Sequence, residues 1–393
     1  MLIKSILRKY HFIFWFRTKK NYENLKKKDH LNYLRKIKTG FFNDKINISI
    51  DKFSKYCFDN DKNMNLRIIK QKVGQQLSGN IFNYSYYFFY NRKGIYLLPP
   101  QYLNYLNRKC SIKINFIISY LYFYLFITYL FFCGFVQIFK VIKIYLFNKK
   151  KNYFNDDYNF LCDLNAEKYG LQSKTFDRHQ YNIVNWILNR DNYKKIVIQG
   201  HNNNFCYNDD LVNLISNNYI YEHALKKISF SNLIITFFYI SLDMVKNLLL
   251  FRWWNILFYK DAVILNIFKL SKVNFAKKYF FIYQSNPYRP LWTYHVEKKG
   301  SEIVMISISC LTDMTLENNL NENFDYEGIY SSNWPNYIVW NTANKKYFYN
   351  RLSEEQKTNT NFNIVNNFIS FRDTSDNLNL PENTIAVFLY ENL

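Results

Sequence analysis

The chain has 393 residues, 49% hydrophobic and 20% aromatic, with 36 Tyr and 37 Phe. That is enough to bury a sizeable core and excludes disorder by composition. Lys and Arg total 52 against 30 acids, a formal net charge of +22, which suits an anionic membrane surface, nucleic acid or phosphorylated substrates. The Asn, Lys, Ile, Phe and Tyr excess follows what AT-rich codons encode, so it reads as genomic bias of a low-GC bacterium rather than a prion-like segment.

The basic residues choose among these partners. They crowd the N-terminus (Arg17, Lys19, Lys20, Lys26, Lys27, Lys28) and flank an apolar run, rather than marking one base-reading helix or loop. With no zinc-finger spacing, basic zipper or ribonucleoprotein signature, nucleic acid is not an expected partner. Six scattered cysteines without a CxxC predict reduced thiols and no metal site. The early run "YHFIFWF" is short, is followed by "RTKK" and lacks a cleavage site, so it is no signal peptide. The soluble parts are expected on the cytoplasmic face of the bacterial inner membrane.

In chain order, residues 1–110 form a basic N-terminal region and 111–150 a hydrophobic membrane-associated helix. Within the latter, Ile114 to Phe139 is 26 consecutive uncharged residues, long enough to cross a hydrocarbon core of about 30 Å. Arg108, Lys109 and Lys113 precede it and Lys140, Lys143 and Lys149 to Lys151 follow, so the positive-inside rule selects no orientation. Residues 151–225 read as an α/β segment, with a helix at "QYNIVNWILNR" and a strand at "KKIVIQG". Residues 226–275 form an amphipathic or hydrophobic helical insert. It carries Asp243, Lys246 and Arg252, each costly at a bilayer centre, and Trp253 and Trp254, expected at headgroup depth. If both apolar segments cross, they make a hairpin; if neither does, they lie on the membrane.

Residues 276–393 carry the most regular pattern. "YFFIYQS" (279–285) reads as a buried parallel strand, Asn286 as an N-cap and Pro287 as the first helical residue. Tyr288, Leu291, Trp292, His295 and Val296 fall on one helical face, Gly300 ends that helix, and "EIVMISIS" returns as a strand. A strand at "NYIVW", a helix over 341–356, an extended run at "FNIVNNF" and a last strand at "NTIAVFLY" complete the alternation. Alternating strands and helices predict an α/β fold with a Rossmann-like parallel sheet.

Ligands of open α/β sheets bind beyond the carboxyl ends of strands. The loop after 279–285 provides Gln284, Ser285 and Asn286 for sugar hydroxyls, Tyr288 as a stacking face and Arg289 as a fork for phosphate or carboxylate. The same residue types also cap helices, so a purely structural loop stays open as an alternative. His201, with Asp209 and Asp210 nearby, stands at another strand end as a candidate catalytic base, and His295 reads as a core histidine.

Over "YQSNPYRPLWTYHVEKKGSEIVMISIS", "SNWPNYIVWNTANKKYFYNRL" and "ENTIAVFLYE" the chain resembles bacterial surface-polysaccharide biosynthesis proteins named for a Pro-Phe-Thr-Ser motif. The tetrapeptide itself occurs nowhere in the sequence, so it maps to no position. The resemblance implies the N-terminal, acceptor-side half of a GT-B-like glycosyltransferase fold, expected here to be truncated or split. A nucleotide-sugar donor would then belong to a second domain, with no cofactor in this chain. The expected partners are membrane lipid or a lipid-linked saccharide acceptor, and a separately encoded C-terminal half. The alternative is a non-catalytic membrane-associated protein or remnant of a polysaccharide cluster.

Overall fold

The computed structural model describes residues 52–58, 61, 63–73, 97–110, 113–147, 158–164, 187, 195–200, 212–216, 221–225, 227–282, 288–307 and 332–365. Helices α1 (63–73), α2 (Pro100–Cys110) and the 32-residue α3 (Phe116–Phe147) precede strands β1 (Tyr158–Leu164), β2 (Lys195–Gly200) and β3 (Val212–Ser216). Helices α4 (Glu222–Leu225), α5 (Phe230–Leu249), α6 (Trp253–Ile256) and α7 (Tyr259–Leu270) then lead to β4 (Lys278–Ile282), α8 (Leu291–Lys298), β5 (Glu302–Ile306) and β6 (Asn336–Val339). Helices α9 (Thr342–Tyr349) and α10 (Glu354–Asn359) and the edge strand β7 (Asn361–Ile364) follow.

All pairings are parallel, in one seven-stranded sheet of order β3-β2-β1-β4-β5-β6-β7. Apolar runs such as "KYFFI" and "EIVMI" fit such a sheet because both of their faces are buried. Tyr279, Phe281, Ile303 and Met305 turn toward the helical core, while Phe280, Val304 and Ile306 point the other way and are buried as well. Strands β1 and β3 had no clear signal in sequence, and the expected strand over 383–390 lies outside the described residues.

On the helical side Trp292 of α8 meets Tyr279 and Phe281 at 5.1 and 6.0 Å between ring centroids, and its outer face stacks on Phe268 of α7 at 4.7 Å. Helix α7 thereby forms a second layer. Its first residue, Tyr259, packs against Phe131 and Phe135 of α3 and bonds Ser241 Oγ of α5 at 2.8 Å. At Gly134 an added Cβ would fall 2.2 Å from the Tyr259 ring, so only glycine lets α3 come this close.

Helices α3 and α5 run antiparallel, because Tyr145 near the end of α3 meets Phe230 at the start of α5, and Tyr124 near the start of α3 meets Phe251 just after α5. Phe251 sits at φ 51 in the left-handed position of a Schellman turn, where Phe251 and Arg252 N–H groups reach the Leu248 and Asn247 carbonyls. That turn directs Trp253 and Trp254 inward. Both are buried, Trp253 against Phe123 and Trp254 with Nε1 donating to the Lys52 carbonyl, which corrects the expectation of headgroup exposure.

Two further boundaries differ from expectation. Helix α8 starts at Leu291 with Pro290 in the capping position, not at Pro287 after an Asn286 cap; Pro290 disfavours helical backbone at Arg289, so the helix begins only beyond it. The helix expected over 341–356 is two, because Ser353 accepts from the Gln356 N–H and starts α10 afresh, a Ser-x-x-Gln capping signal. Gly300, at φ 97, ends α8 as expected.

Replacing Gly134 by Ala should force α3 away from Tyr259 and destabilise the protein by roughly 1–3 kcal/mol, read as a lower urea midpoint; an unchanged midpoint would show that the helices can separate freely. Burial holds the hydroxyls of Tyr102, Tyr158 and Tyr279 above their usual range, and pushes Tyr259 up to about 12 against the opposing bond from Ser241. Folded values above the unfolded value of about 10 mean that this stability is complete below pH 10 and lost as pH rises through the folded values. The tyrosinate absorbance of these four residues should therefore appear in a late step coincident with loss of circular dichroism.

Candidate functional site

The strand order reverses between β1 and β4, and in open parallel sheets that reversal leaves a crevice beyond the strands' carboxyl ends. One wall is the chain leaving β4. Gln284, Ser285 and Asn286, like His201, Asp209 and Asp210 beyond β2, lie outside the described residues, which resume at Tyr288.

Tyr288 is 2% exposed, with Lys72 Nζ of α1 over its ring at 4.1 Å from the centroid and Phe258 at 6.0 Å. Lys72 also pairs with Asp261 Oδ2 of α7 at 2.9 Å. The side on which a sugar would stack thus carries an ammonium group. Burial first, then the Asp261 carboxylate, holds the Tyr288 hydroxyl well above its ordinary pKa, so it remains a protonated donor at neutral pH. A carboxylate tied to an ammonium offers a ligand hydrogen bonds and a local dipole rather than an open base.

Arg289 is also 2% exposed, and its fork finds its carboxylate within the chain. Nη2 reaches Glu297 Oε2 at 2.5 Å and the Thr293 carbonyl at 3.3 Å; Nε donates to Thr293 Oγ1 at 2.9 Å and Nη1 to the Asn333 carbonyl at 3.3 Å. Its guanidinium lies 4.1 Å from the centre of the Tyr294 ring. Arg289 is therefore an internal strut rather than an open fork, bracing the first turns of α8 against the segment entering β6. Behind it Arg67 of α1 pairs with Glu355 of α10 through both guanidinium nitrogens. His295 is half-buried, edge-on to Phe275 at 6.0 Å.

The fold brings Tyr288 and Arg289 to the same wall and adds two residues that sequence reasoning missed, Lys72 and Asp261. No local pattern pairs them, since they meet only when α1 crosses α7. The sole hint was Asp261, the one acid in its helix and placed in the first turn. Among the described residues no cluster of His, Cys, Asp and Glu could hold a metal. A cavity of about 130 Å³ opens on the other sheet face, lined by the Lys278–Glu302 pair, Asn336 and Asn361. It lies toward the amino ends of the strands, away from the crevice.

Comparison with known families finds one match: the family described as polysaccharide biosynthesis PFTS motif protein, over residues 236–389. The matched stretch runs from α5 to beyond β7 and includes the whole described wall from Tyr288 onward. It supports the family that the sequence resembles and a role in polysaccharide biosynthesis. No curated protein and no solved structure matches the chain.

If Arg289 is a strut, Arg289→Lys should behave almost like Arg289→Ala, because an ammonium cannot reproduce the fork. Each should cost roughly 2–4 kcal/mol, whereas Glu297→Gln, at a partner 37% exposed, should cost about 1 kcal/mol. Urea unfolding of the three variants checks this, and a silent Arg289→Lys would free the guanidinium for a ligand.

Proposed function

From the family match and the reversal in strand order, we propose that the chain is a glycosyltransferase-like protein of bacterial surface polysaccharide biosynthesis, O-antigen or capsule. In this reading the sheet is a Rossmann-like domain of a GT-B-type architecture, facing a lipid-linked saccharide acceptor at the cytoplasmic face of the inner membrane. The observation that carries it is the position of the β4–α8 connection. It lies inside the matched stretch, beyond the carboxyl end of a strand beside the reversal, where helix N-termini and loop donors meet anionic and hydroxyl-rich ligands.

The chemistry asks for sugar-hydroxyl partners and for neutralisation of phosphate charge. Gln284, Ser285 and Asn286 are the proposed hydroxyl partners and His201 is the proposed base, with the protonated Tyr288 hydroxyl and Lys72 at the described end of the same connection. The donor is a nucleotide sugar. A second reading, a non-catalytic assembly component, is favoured by one observation: Tyr288, Arg289, Lys72 and Asp261 are each engaged with neighbours inside the chain.

Equilibrium binding of a labelled short-chain lipid diphosphate-linked saccharide to the full chain in phosphatidylglycerol nanodiscs decides between the two. Saturable binding, weakened at least tenfold by Ser285→Ala with Asn286→Ala, is the expected result. Absence of saturable binding would leave the assembly role.

A further inference from the structure

Helix α3 is apolar around its whole circumference yet buried on one side only. Ser119, Phe123, Ile127, Phe131, Gly134, Ile138, Val141 and Ile144 form an inner stripe, and Ile117, Leu121, Leu125, Phe132, Val136 and Phe139 are exposed on the opposite side. Helix α5 repeats the arrangement, with Leu233, Phe237, Ile240 and Met244 inside and Ile235, Phe238, Tyr239 and Leu242 outside. Two antiparallel neighbours thus share an apolar outer face far larger than a soluble surface ordinarily exposes.

The rim identifies what covers it. Lys113, Lys140, Lys143, Lys227 and Lys246 are exposed around the two helices, and Asp243 is the one acid within them. A second copy would set one basic rim against another, which like-charge repulsion opposes; an anionic lipid surface complements it.

Length alone would let α3 cross the bilayer, but its neighbours forbid it. The inner stripe is packed on the protein along nearly the whole helix, and at Gly134, about two turns from the middle of the uncharged run, the neighbour is Tyr259. Next to Tyr259 stand the exposed Lys260 and the Lys72–Asp261 pair. A crossing α3 would carry these charges into the hydrocarbon region, where a charge at the very centre costs about 2.5–3.5 kcal/mol. Lying flat, the hairpin sinks its outer side chains about 5–10 Å into the leaflet and leaves α7 and the sheet in water.

We propose that α3 and α5 form an in-plane, monotopic docking face for an anionic phospholipid leaflet, inserted along their length and crossing nowhere. This deepens the membrane location in the functional reading above, but stands independently of saccharide binding. Its geometry turns the sheet's helical side toward the membrane, which suits an acceptor carried on a lipid.

The test uses the full chain with a fluorescent non-natural amino acid at Ile117, Leu125 or Phe139, which are 83, 56 and 68% exposed, on phosphatidylglycerol vesicles containing lipids brominated near the headgroup or deep in the acyl chain. All three sites should be quenched equally and best by the shallow bromine. Deep quenching at Leu125 alone, with 117 and 139 shallow, would mean a span and overturn the proposal. Absence of quenching, with a dimer in size-exclusion chromatography, would assign the face to a second copy and overturn it too. Phe132→Lys with Phe238→Lys, both at exposed positions, should reduce vesicle binding at least tenfold with unchanged circular dichroism, and phosphatidylcholine vesicles should bind more weakly than anionic ones. Labelled short-chain lipid diphosphate-linked saccharide binding, measured on the same preparations, separates failure of docking from failure of the glycosyltransferase reading.

Discussion

The fold depends on how closely α3 approaches α7. Without a side chain at Gly134 the Tyr259 ring lies directly on the α3 backbone, and that contact sets the distance between the apolar hairpin and the sheet domain. Tyr259 is held on one side by Phe131 and Phe135 and by its hydroxyl bond to Ser241. At the far end of the same helix, Phe268 stacks on Trp292, which rests on β4. A single twelve-residue helix therefore connects the outer apolar face to the sheet, and close packing transmits any shift from one to the other.

The same helix supplies the charge at the crevice wall. Asp261 is in its first turn, so the residue that pairs with Lys72 is fixed by the helix that fixes the hairpin. Arg289 then holds α8 to the segment before β6, and Arg67 with Glu355 ties α1 to α10. These contacts are polar, partly exposed and distributed over four helices. They add orientation more than stability, because pairs near water gain little net energy, while the apolar layer between them carries most of the burial.

The exposed apolar face and the wall at Tyr288 are thus joined through one packed layer. If the hairpin lies in a leaflet, α7 runs just above it and the carboxyl edge of the sheet takes a fixed orientation to the lipid surface. An enzyme working on a lipid-borne saccharide gains from such orientation, since the acceptor's diffusion is confined to two dimensions and its approach angle to the crevice is constrained.

Much of this was legible in the residues alone. The apolar runs at 279–282 and 302–306 identify buried parallel strands, Gly300 marks a helix end, and the uncharged run from 114 to 139 requires apolar surroundings, because local patterning and solvent transfer act on neighbours in the chain. Other features were decided only in three dimensions: the central position of β1, the burial of Trp253 and Trp254, the meeting of Lys72 with Asp261, and the internal engagement of Arg289. Each depends on which distant segment arrives opposite, and hydrophobic periodicity records which side of an element is buried, not what it is buried against. For α3 the sequence determines that nearly all sides shun water; only the tertiary packing decides which side rests on α7 and which is left facing outward.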